Sequence, residues 1–416
     1  MLRSDSPLRH QPFRWLLVGT TVNSLGNMIA PVAIAFAVLD LGGSATQLGL
    51  VVGAYALADV LAVLAGGVLG DRLPRTTMMR GANLAAAGVQ TVVALSLLGG
   101  WGSLWLLAAG GALNGALGSL AGPSTQAVTP QTVPQAELRQ AITLRRLSQN
   151  TAMILGAGVA GLLVAWIGTG GALAVDAASF LLAAGCFVRV RVPALPPAPR
   201  RRALTEAREG FQEVMRHSWL WSLIAMALIY HLFYGGAQGV LGPIVVGDHL
   251  GRAAWGYALS AMMIGFVSGG LLSLVWKPRR ALFVGECFLL LTICFPLAIA
   301  LSDNVWVVLA GAFLHGFGLE IFSVGWDLSI QENVPGPMLA RVYSFDQLGS
   351  FIARPVGLAA TGPLASAVGE REWLLVVAAA IAVADVAPFL IRDVRRLERR
   401  PVSGDEDRRG VDVPVP

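Results

Sequence analysis

The stretch Gly66-Gly67-Val68-Leu69-Gly70-Asp71-Arg72-Leu73-Pro74-Arg75 separates two long apolar runs, at residues 45–70 and 77–98. Its glycines allow the end of a helix to approach a neighbouring helix closely. The Asp71 carboxylate can face the positive N-terminus of another helix, while Arg72, Arg75 and Arg80 can lie among anionic lipid headgroups. The stretch is predicted to be a charged turn that gates a path between helices. The alternative is an ordinary positively charged membrane loop.

Composition indicates that the whole chain belongs in a membrane. Of 416 residues, 55% are apolar and 13% are charged, and the mean hydropathy is +0.66. So few polar residues cannot cover the surface of a soluble globule. Twelve apolar segments are long enough to cross about 30 Å of hydrocarbon at about 1.5 Å per residue. They are residues 15–39, 45–70, 77–98, 102–126, 138–166, 171–192, 219–246, 254–275, 281–300, 304–328, 339–366 and 372–391.

The basic residues predict the orientation of these spans. Almost all of them fall on one side, and the loops of the opposite side keep only Arg252 and Arg371. Because positive loops face the cytoplasm, the protein is expected to lie in the plasma membrane with both termini cytoplasmic. The net charge of +5 therefore reflects topology, and no soluble basic domain is available to bind nucleic acid.

The chain divides into two halves. Residues 1–192 and 218–393 each contain six apolar segments, and residues 193–217 form a cytoplasmic linker that begins with several prolines. Within the linker, residues 204–215 have the pattern of a short helix on the inner membrane surface. Residues 394–416 mix charges with Pro and Gly and are predicted to be a disordered tail.

The two halves repeat each other at an offset of 201 residues. This spacing indicates two parallel six-helix repeats around a central loop. The clearest matches pair Val133-Pro134 with Val334-Pro335, Gly156 with Gly357, Gly161 with Gly362, and Gly168 with Gly369.

These motifs resemble the major facilitator superfamily. The opening stretch is similar to its loop between helices 2 and 3, with the pattern Gly-x-x-x-Asp-Arg-x-Gly/Pro-Arg. Gly67, Asp71, Arg72, Pro74 and Arg75 match that pattern. The resemblance implies an all-α membrane protein with twelve transmembrane helices in two six-helix repeats, the major facilitator fold.

A narrower resemblance is to the twelve-span drug:proton antiporter branch, which includes macrolide-efflux and enterobactin-exporter proteins. It rests on the stretches that begin at Asn23, Gly42, Val133 and Asp176. Two departures from the pattern of this branch weaken the inference that this chain couples transport to protons. Asn27 stands where relatives often carry Asp, and the fifth span lacks the proline of the antiporter motif.

Other classes of protein find little support in the sequence. Gly156-Ala-Gly-Val-Ala-Gly161 matches a dinucleotide fingerprint, but it lies inside an apolar span where small residues permit close helix packing. No Walker loop, His-Glu-x-x-His or Cys-x-x-Cys occurs. Neither a cofactor nor a metal is expected, and the protein is not expected to be an enzyme. The three cysteines lie in apolar spans and do not suggest disulfides.

Polar residues within the spans are candidates for the transport path, because burying them in lipid is costly. The resemblance implies that helices 1, 4, 7 and 10 line a central cavity. The polar candidates can alternatively make interhelical hydrogen bonds. The polar-aromatic stripe of the seventh span, formed by His231, Tyr234 and Gln238, can alternatively be a structural aromatic surface. The candidates for the cavity are Asn23, Asn27, Asn114, His231, Tyr234, Gln238, His315 and Arg354.

Three carboxylates are candidates for proton coupling. Glu320 lies roughly 12 Å from the inner end of the tenth span, where a carboxyl tends to be protonated unless it is paired. Asp346 and Asp176 are the next candidates, although Asp176 can also be structural. Arg354 either forms a structural pair with Asp346, Asp385 or Glu320, or faces the cavity and attracts an anionic group. Glu286 is expected to form an interfacial pair with the nearby arginines at 279 and 280.

The sequence therefore predicts a secondary transporter that exports an amphipathic organic compound, such as a drug, antibiotic or siderophore-like metabolite, by alternating access. Exchange for protons is the expected coupling, and the lipid bilayer is the expected environment of a monomer. An uncoupled or uptake permease of the same fold is one alternative. A membrane receptor or scaffold that transports nothing is another, although such a protein would usually append a folded soluble domain.

Overall fold

The computed structural model describes residues 6–70, 75–192, 203–335 and 338–398, and in these ranges every regular element is a helix. The predicted all-helical architecture is confirmed. The α-helices are α1 (Gln11–Asp40), α2 (Ala45–Gly70), α3 (Arg75–Leu98), α4 (Leu104–Val128), α5 (Leu138–Val188), α6 (Ala203–Arg216), α7 (Ser218–Gly236), α8 (Gly247–Leu250), α9 (Arg252–Val275), α10 (Ala281–Leu289), α11 (Cys294–Leu301), α12 (Val305–Asn333), α13 (Leu339–Phe351), α14 (Arg354–Val368), α15 (Glu370–Val386) and α16 (Arg392–Arg396).

Each predicted apolar segment coincides with helix in the described ranges. Ten stretches of helix are long and apolar enough to cross a membrane, and α4 adds a shorter apolar stretch over Leu104–Leu120. The helix α5 is twice the usual length because it contains two arms, residues 138–167 and 169–188. Gly168 joins them with φ 74° and ψ 174°, a left-handed conformation that reverses the chain and favours glycine.

Three predicted spans are less regular than the sequence suggested. After α7 the chain continues as a π-helix over Ala237–Val246, and a 3₁₀ turn over Leu290–Ile293 joins α10 to α11. The span predicted as continuous over residues 339–366 is divided, because α13 ends at Phe351 and α14 begins at Arg354. The next residue, Pro355, lacks an N–H and its ring crowds the Phe351 carbonyl, which breaks the helix.

The outer surface of the helices is rich in exposed apolar side chains. Trp105, Leu274, Val383 and Leu390 are each at least 70% exposed. A soluble monomer rarely exposes so much large apolar surface, whereas lipid tails cover it in a membrane. The protein is a multi-pass membrane protein.

The repeated glycines occupy equivalent positions in the two halves of the chain, residues 6–192 and 218–398. A Cβ at Gly156 would lie 2.5 Å from the carbonyl oxygen of Leu25, so α5 packs closely on α1. A Cβ at Gly357 would collide with the carbonyl of Leu232, so α14 packs in the same way on α7. Each pair lies within one half.

A second pair of glycines joins the two halves. A Cβ at Gly161 would lie 3.0 Å from Ala253 Cα, where α5 crosses α9. A Cβ at Gly362 would collide with the backbone at Thr46, where α14 crosses α2. The two crossings are equivalent in the repeat, and both require small residues at the point of contact.

These crossings lie toward one end of the bundle, where α1 ends and α2 begins, which we name the far side. An ion pair between Arg252 and Asp40 also connects the two halves there, and Ser260 donates a hydrogen bond to the carbonyl of Ile154 at 2.8 Å. We name the opposite end, which carries α6, the linker side.

On the far side, a hydrogen bond from Arg371 at 2.5 Å lowers the pKa of the exposed Asp303 carboxyl.

The linker contains the expected helix. The described α6 packs on α13 through an ion pair between Glu209 and Arg341 and through Phe211 and Phe345, whose rings lie 6.1 Å apart. Residues 193–202 of the linker and the predicted tail beyond residue 398 lie outside the described residues.

Candidate functional site: a cavity between the helices

A cavity of about 660 Å³ lies among α1, α2, α3, α4 and both arms of α5, and α14 adds Arg354 to its wall. This volume suits a drug-sized ligand. The cavity brings together five of the residues singled out from the sequence, namely Asn23, Asn27, Asn114, Asp176 and Arg354.

Asp176 is the acidic group in the cavity wall. Its Oδ2 accepts a hydrogen bond from Gln90 Nε2 at 2.7 Å, and Gln90 Oε1 accepts one from Asn114 Nδ2 at 2.7 Å. A Cβ at Gly26 would lie 2.7 Å from Asp176 Oδ1, so this glycine admits the carboxylate beside α1. Asp176 has no ion-pair partner in the described ranges. Ser179 Oγ lies 3.4 Å from Asp176 Oδ1, so a neutral amide and a neutral hydroxyl hold the carboxylate.

The asparagines in the wall keep unused hydrogen-bonding atoms. Oδ1 of Asn23, of Asn83 and of Asn114 is buried without a hydrogen-bond partner among the described residues. Buried polar atoms normally find partners, because an unpaired one costs about 1–3 kcal/mol. Within the described part of the chain, these oxygens are enclosed without a partner in this conformation.

Three arginines reach the same cavity. Arg145 and Arg146 come from the first arm of α5, and Arg354 comes from the start of α14. Nε of Arg145 is buried without a hydrogen-bond partner in the described part of the chain. The pairs predicted for Arg354 with Asp346, Asp385 or Glu320 are absent from the described ion pairs, and Arg354 lines the cavity instead.

The polar stripe of the seventh span does not line this cavity. Tyr234 stacks on His315 with ring centroids 4.4 Å apart, and on Tyr230 at 5.2 Å. The His315 ring lies 2.9 Å from the Thr292 carbonyl through Nδ1 and 3.0 Å from the Tyr230 hydroxyl through Nε2. A carbonyl only accepts, so Nδ1 donates to it and Nε2 accepts from the hydroxyl.

The other two members of the stripe also have partners outside the cavity. His231 packs on Phe351 with ring centroids 4.2 Å apart, and its Nδ1 lies 2.7 Å from the Ala227 carbonyl. Gln238 donates to the sulfur of Met262 at 3.8 Å. The roles of these residues in substrate binding stay predictions.

Two of the predicted proton-coupling carboxylates lie away from the cavity. Glu320 packs on α9, where a Cβ at Gly269 would lie 3.1 Å from Glu320 Cβ. Asp346 accepts hydrogen bonds from Trp326 Nε1 at 3.1 Å and from Ser350 Oγ at 3.3 Å. Asp346 thus has the surroundings of a structural hydrogen-bond acceptor.

The C-terminal half contains two further buried carboxyls. Glu286 is 0% exposed and neither of its oxygens has a partner in the described residues. The predicted interfacial pair of Glu286 with Arg279 and Arg280 is wrong, because its side chain points into the helix bundle rather than to the surface. Asp385, also 0% exposed, accepts a hydrogen bond from Thr292 Oγ1 at 3.3 Å.

The predicted gating stretch is only partly described. Asp71, Arg72 and Pro74 lie outside the described residues, as does the side-chain environment of Gly67. Arg75 is the first residue of α3. The gating role stays a prediction.

Sequence reasoning missed several residues of the wall. Gln90 and Asn83 lie in an apolar span and were not considered, although polar residues in a span are the signal that identified Asn114. Arg145 and Arg146 lie near a predicted span end, where long basic side chains are common, so their position did not suggest a cavity.

The comparisons with known proteins agree with the fold. The family model of the Major Facilitator Superfamily matches residues 16–295. The chain belongs to the major facilitator superfamily. It is a membrane transporter and not an enzyme, and the resemblance drawn from the opening motif is confirmed.

Curated relatives of this major facilitator carry efflux names. Macrolide efflux protein A of Streptococcus pyogenes is 24% identical over 410 residues, covering 93% of this chain and 97% of the relative. Multidrug efflux pump Tap of Mycolicibacterium fortuitum is 25% identical over 404 residues, with the same coverage.

Solved structures share the fold at low identity. A bacterial homolog of the human lysosomal transporter Spinster, inward-facing and occupied, matches with a TM-score of 0.73 at 16% identity. The alignment covers 95% of this chain and 100% of the homolog. The nucleoside transporter NupG matches with a TM-score of 0.70 at 11% identity, covering 93% of this chain and 100% of NupG.

Proposed function

We propose that this major facilitator exports an amphipathic organic compound across the plasma membrane by alternating access, in exchange for protons. The observation that carries the proposal is the drug-sized cavity, whose wall combines apolar side chains with Asn27, Asn114 and Asp176. The efflux names of curated relatives support export as the direction.

The conformation fits one state of such a cycle. The crossings at Gly161 and Gly362 and the Arg252–Asp40 ion pair hold the halves together at the far side. With the linker side in the cytoplasm, as the basic residues predict, this is a state closed to the outside. The loop at residues 71–74 would then secure the linker side in the opposite state.

We propose Asp176 as the first coupling carboxylate, ahead of Glu320 and Asp346. It lines the cavity, although its side chain is 0% exposed in this conformation. Its partners are the neutral amide of Gln90 and the neutral hydroxyl of Ser179, which accommodate either protonation state, since both groups can donate to a carboxylate or accept from a carboxyl. A proton can therefore be exchanged there without breaking an ion pair.

The test uses the full-length transporter in proteoliposomes, with radiolabelled naphthalenesulfonate as the first probe. Wild-type protein should accumulate the probe when a pH gradient is imposed. Asp176→Asn should abolish this accumulation and retain counterflow, because neutralising the carboxyl removes proton coupling without blocking the cavity.

Asp303→Asn serves as the matched control, because this aspartate is exposed on the far side and remote from the cavity. It should transport like the wild type. Gradient-driven accumulation in Asp176→Asn equal to the wild type would refute Asp176 as the coupling site, and an uncoupled wild type would refute antiport of this probe.

A further inference from the structure

The charges of the cavity wall are unbalanced. Among the described residues, the wall holds Arg145, Arg146 and Arg354 but only one carboxylate, Asp176. Arg146 lies near enough to Glu320 and Asp327 to interact with both charges. The other two arginines keep positive charge that no described ion pair neutralises.

Of Arg145 and Arg354, Arg354 says more about the charge of the ligand. It stands deep in the bundle, at the first residue of α14, beside the α2–α14 crossing where a Cβ at Gly53 would lie 3.4 Å from the Pro355 carbonyl. Its side chain is half-buried, and no ion pair connects its guanidinium to a carboxylate in the described ranges. A charge held in a membrane protein usually has a partner, because an unpaired one is costly.

Arg145 also has no ion-pair partner in the described ranges, and it lies nearer the linker side. The residue is only 8% exposed, and its Nε is buried without a hydrogen-bond partner among the described residues. Two guanidiniums with free donor groups thus stand along one cavity. The planar guanidinium suits carboxylates, phosphates and sulfonates, which it can bind through two parallel hydrogen bonds.

The rest of the wall fits an apolar body. Met28, Ile34, Val51, Tyr55 and Phe180 supply aliphatic and aromatic surface to the same cavity. A ligand with an acid group at one end could place that group at Arg354 and its apolar part against this surface. A cationic ligand would instead meet unneutralised positive charge.

We propose that the compound this transporter carries is an amphipathic organic anion, whose acid group pairs with Arg354 in the cavity and meets Arg145 on its path from the linker side. The inference rests on the proposed transport function and narrows its substrate class. It separates this chain from a carrier of cationic amphiphiles.

The test compares two probes with the same apolar body and opposite charges, naphthalenesulfonate and naphthyltrimethylammonium. Binding to the purified full-length chain is measured by equilibrium dialysis at low and high salt. The anion should bind more tightly than the cation by at least about tenfold. Arg354→Gln should weaken anion binding at least about tenfold, and Arg145→Gln should weaken it less.

Arg280→Gln is the matched control, because Arg280 is exposed and paired with Glu398 at the surface. It should bind the anion like the wild type. Arg354→Met removes the charge with a side chain of similar length and tests the role of Arg354 if the glutamine variant does not fold. Equal or tighter binding of the cation would overturn the proposal, as would unchanged anion binding in a folded Arg354→Gln or Arg354→Met variant.

Binding and transport can fail separately. Selective anion binding without gradient-driven transport of the same anion would leave this inference standing and contradict the proposed function for that compound. Gradient-driven transport of the cation in preference to the anion would contradict this inference and leave the proposed transport function standing.

Discussion

Asp176 and Asp346 show how neighbours distinguish two carboxylates of the same kind. Asp346 accepts from an indole N–H and a hydroxyl and lies outside the cavity wall. Asp176 accepts from the Gln90 amide and from the Ser179 hydroxyl, and it lies in the wall. Both arrangements join helices to one another, and of these two carboxylates Asp176 is the one that borders the cavity. At the residue scale, the two should respond differently to substitution.

Asp346→Ala should reduce stability and spare transport. It leaves the Trp326 N–H and the Ser350 hydroxyl without their acceptor, which costs about 1–3 kcal/mol for each buried group that finds no new partner. Thermal unfolding of the purified protein should shift to lower temperature, while transport per folded molecule stays near the wild-type value. Normal stability with lost proton coupling would instead make Asp346 a coupling residue.

At the scale of helices, the repeated glycines serve two different purposes. Gly156 and Gly357 pack helices within a half, whereas Gly161 and Gly362 pack helices of different halves. Contacts within a half persist through a rocking motion, but contacts between halves must break and form again. The same residue type at equivalent positions therefore contributes to folding in one pair and to the conformational equilibrium in the other.

This difference predicts opposite outcomes for two substitutions. Gly156→Val should destabilise the fold by about 1–3 kcal/mol, because the added atoms meet the backbone of Leu25. Gly161→Val should keep most of the stability and open the far side, because it separates α5 from α9. The measurements are thermal unfolding and the labelling of a cysteine at Tyr55 from the far side by an impermeant thiol reagent.

Gly88→Val is the matched control, since a Cβ there meets no atom within 4 Å. It should change neither stability nor labelling. An equal loss of stability in Gly156→Val and Gly161→Val, with no change in labelling, would show that both glycines are merely structural.

The sequence predicted the positions of the helices better than it predicted which helix faces line the cavity and which pack on other helices. Apolar length located the described helices, because a membrane demands continuous hydrogen-bonded helix across its thickness. The spacing of Tyr234 and Gln238 correctly placed them on one side of a helix, but periodicity does not say whether that side meets a cavity or another helix. Tyr234 meets His315 instead. The break before Pro355 was readable from local chemistry and was missed.

At the scale of the whole molecule, the halves are joined at the far side and the cavity lies mainly among the helices of the N-terminal half. Of the described residues, Arg354 alone enters its wall from the C-terminal half. Movement of one half against the other would therefore change the distances from Arg354 to Asn27 and to Asp176. A ligand held between them would bind the two conformations of the transporter with different free energies. Alternating access requires such a difference.

The most direct measurement follows a cysteine at Asn27, an exposed cavity residue, after the native Cys186, Cys287 and Cys294 are replaced by alanine. Cysteines at Ser103 and Lys277 mark the far side and the linker side, and an impermeant thiol reagent is applied to each side in turn. Alternating access predicts that the Asn27 cysteine reacts from the linker side at rest and from the far side once a pH gradient and probe are supplied. Reaction from one side only under every condition, with both markers behaving normally, would contradict the account.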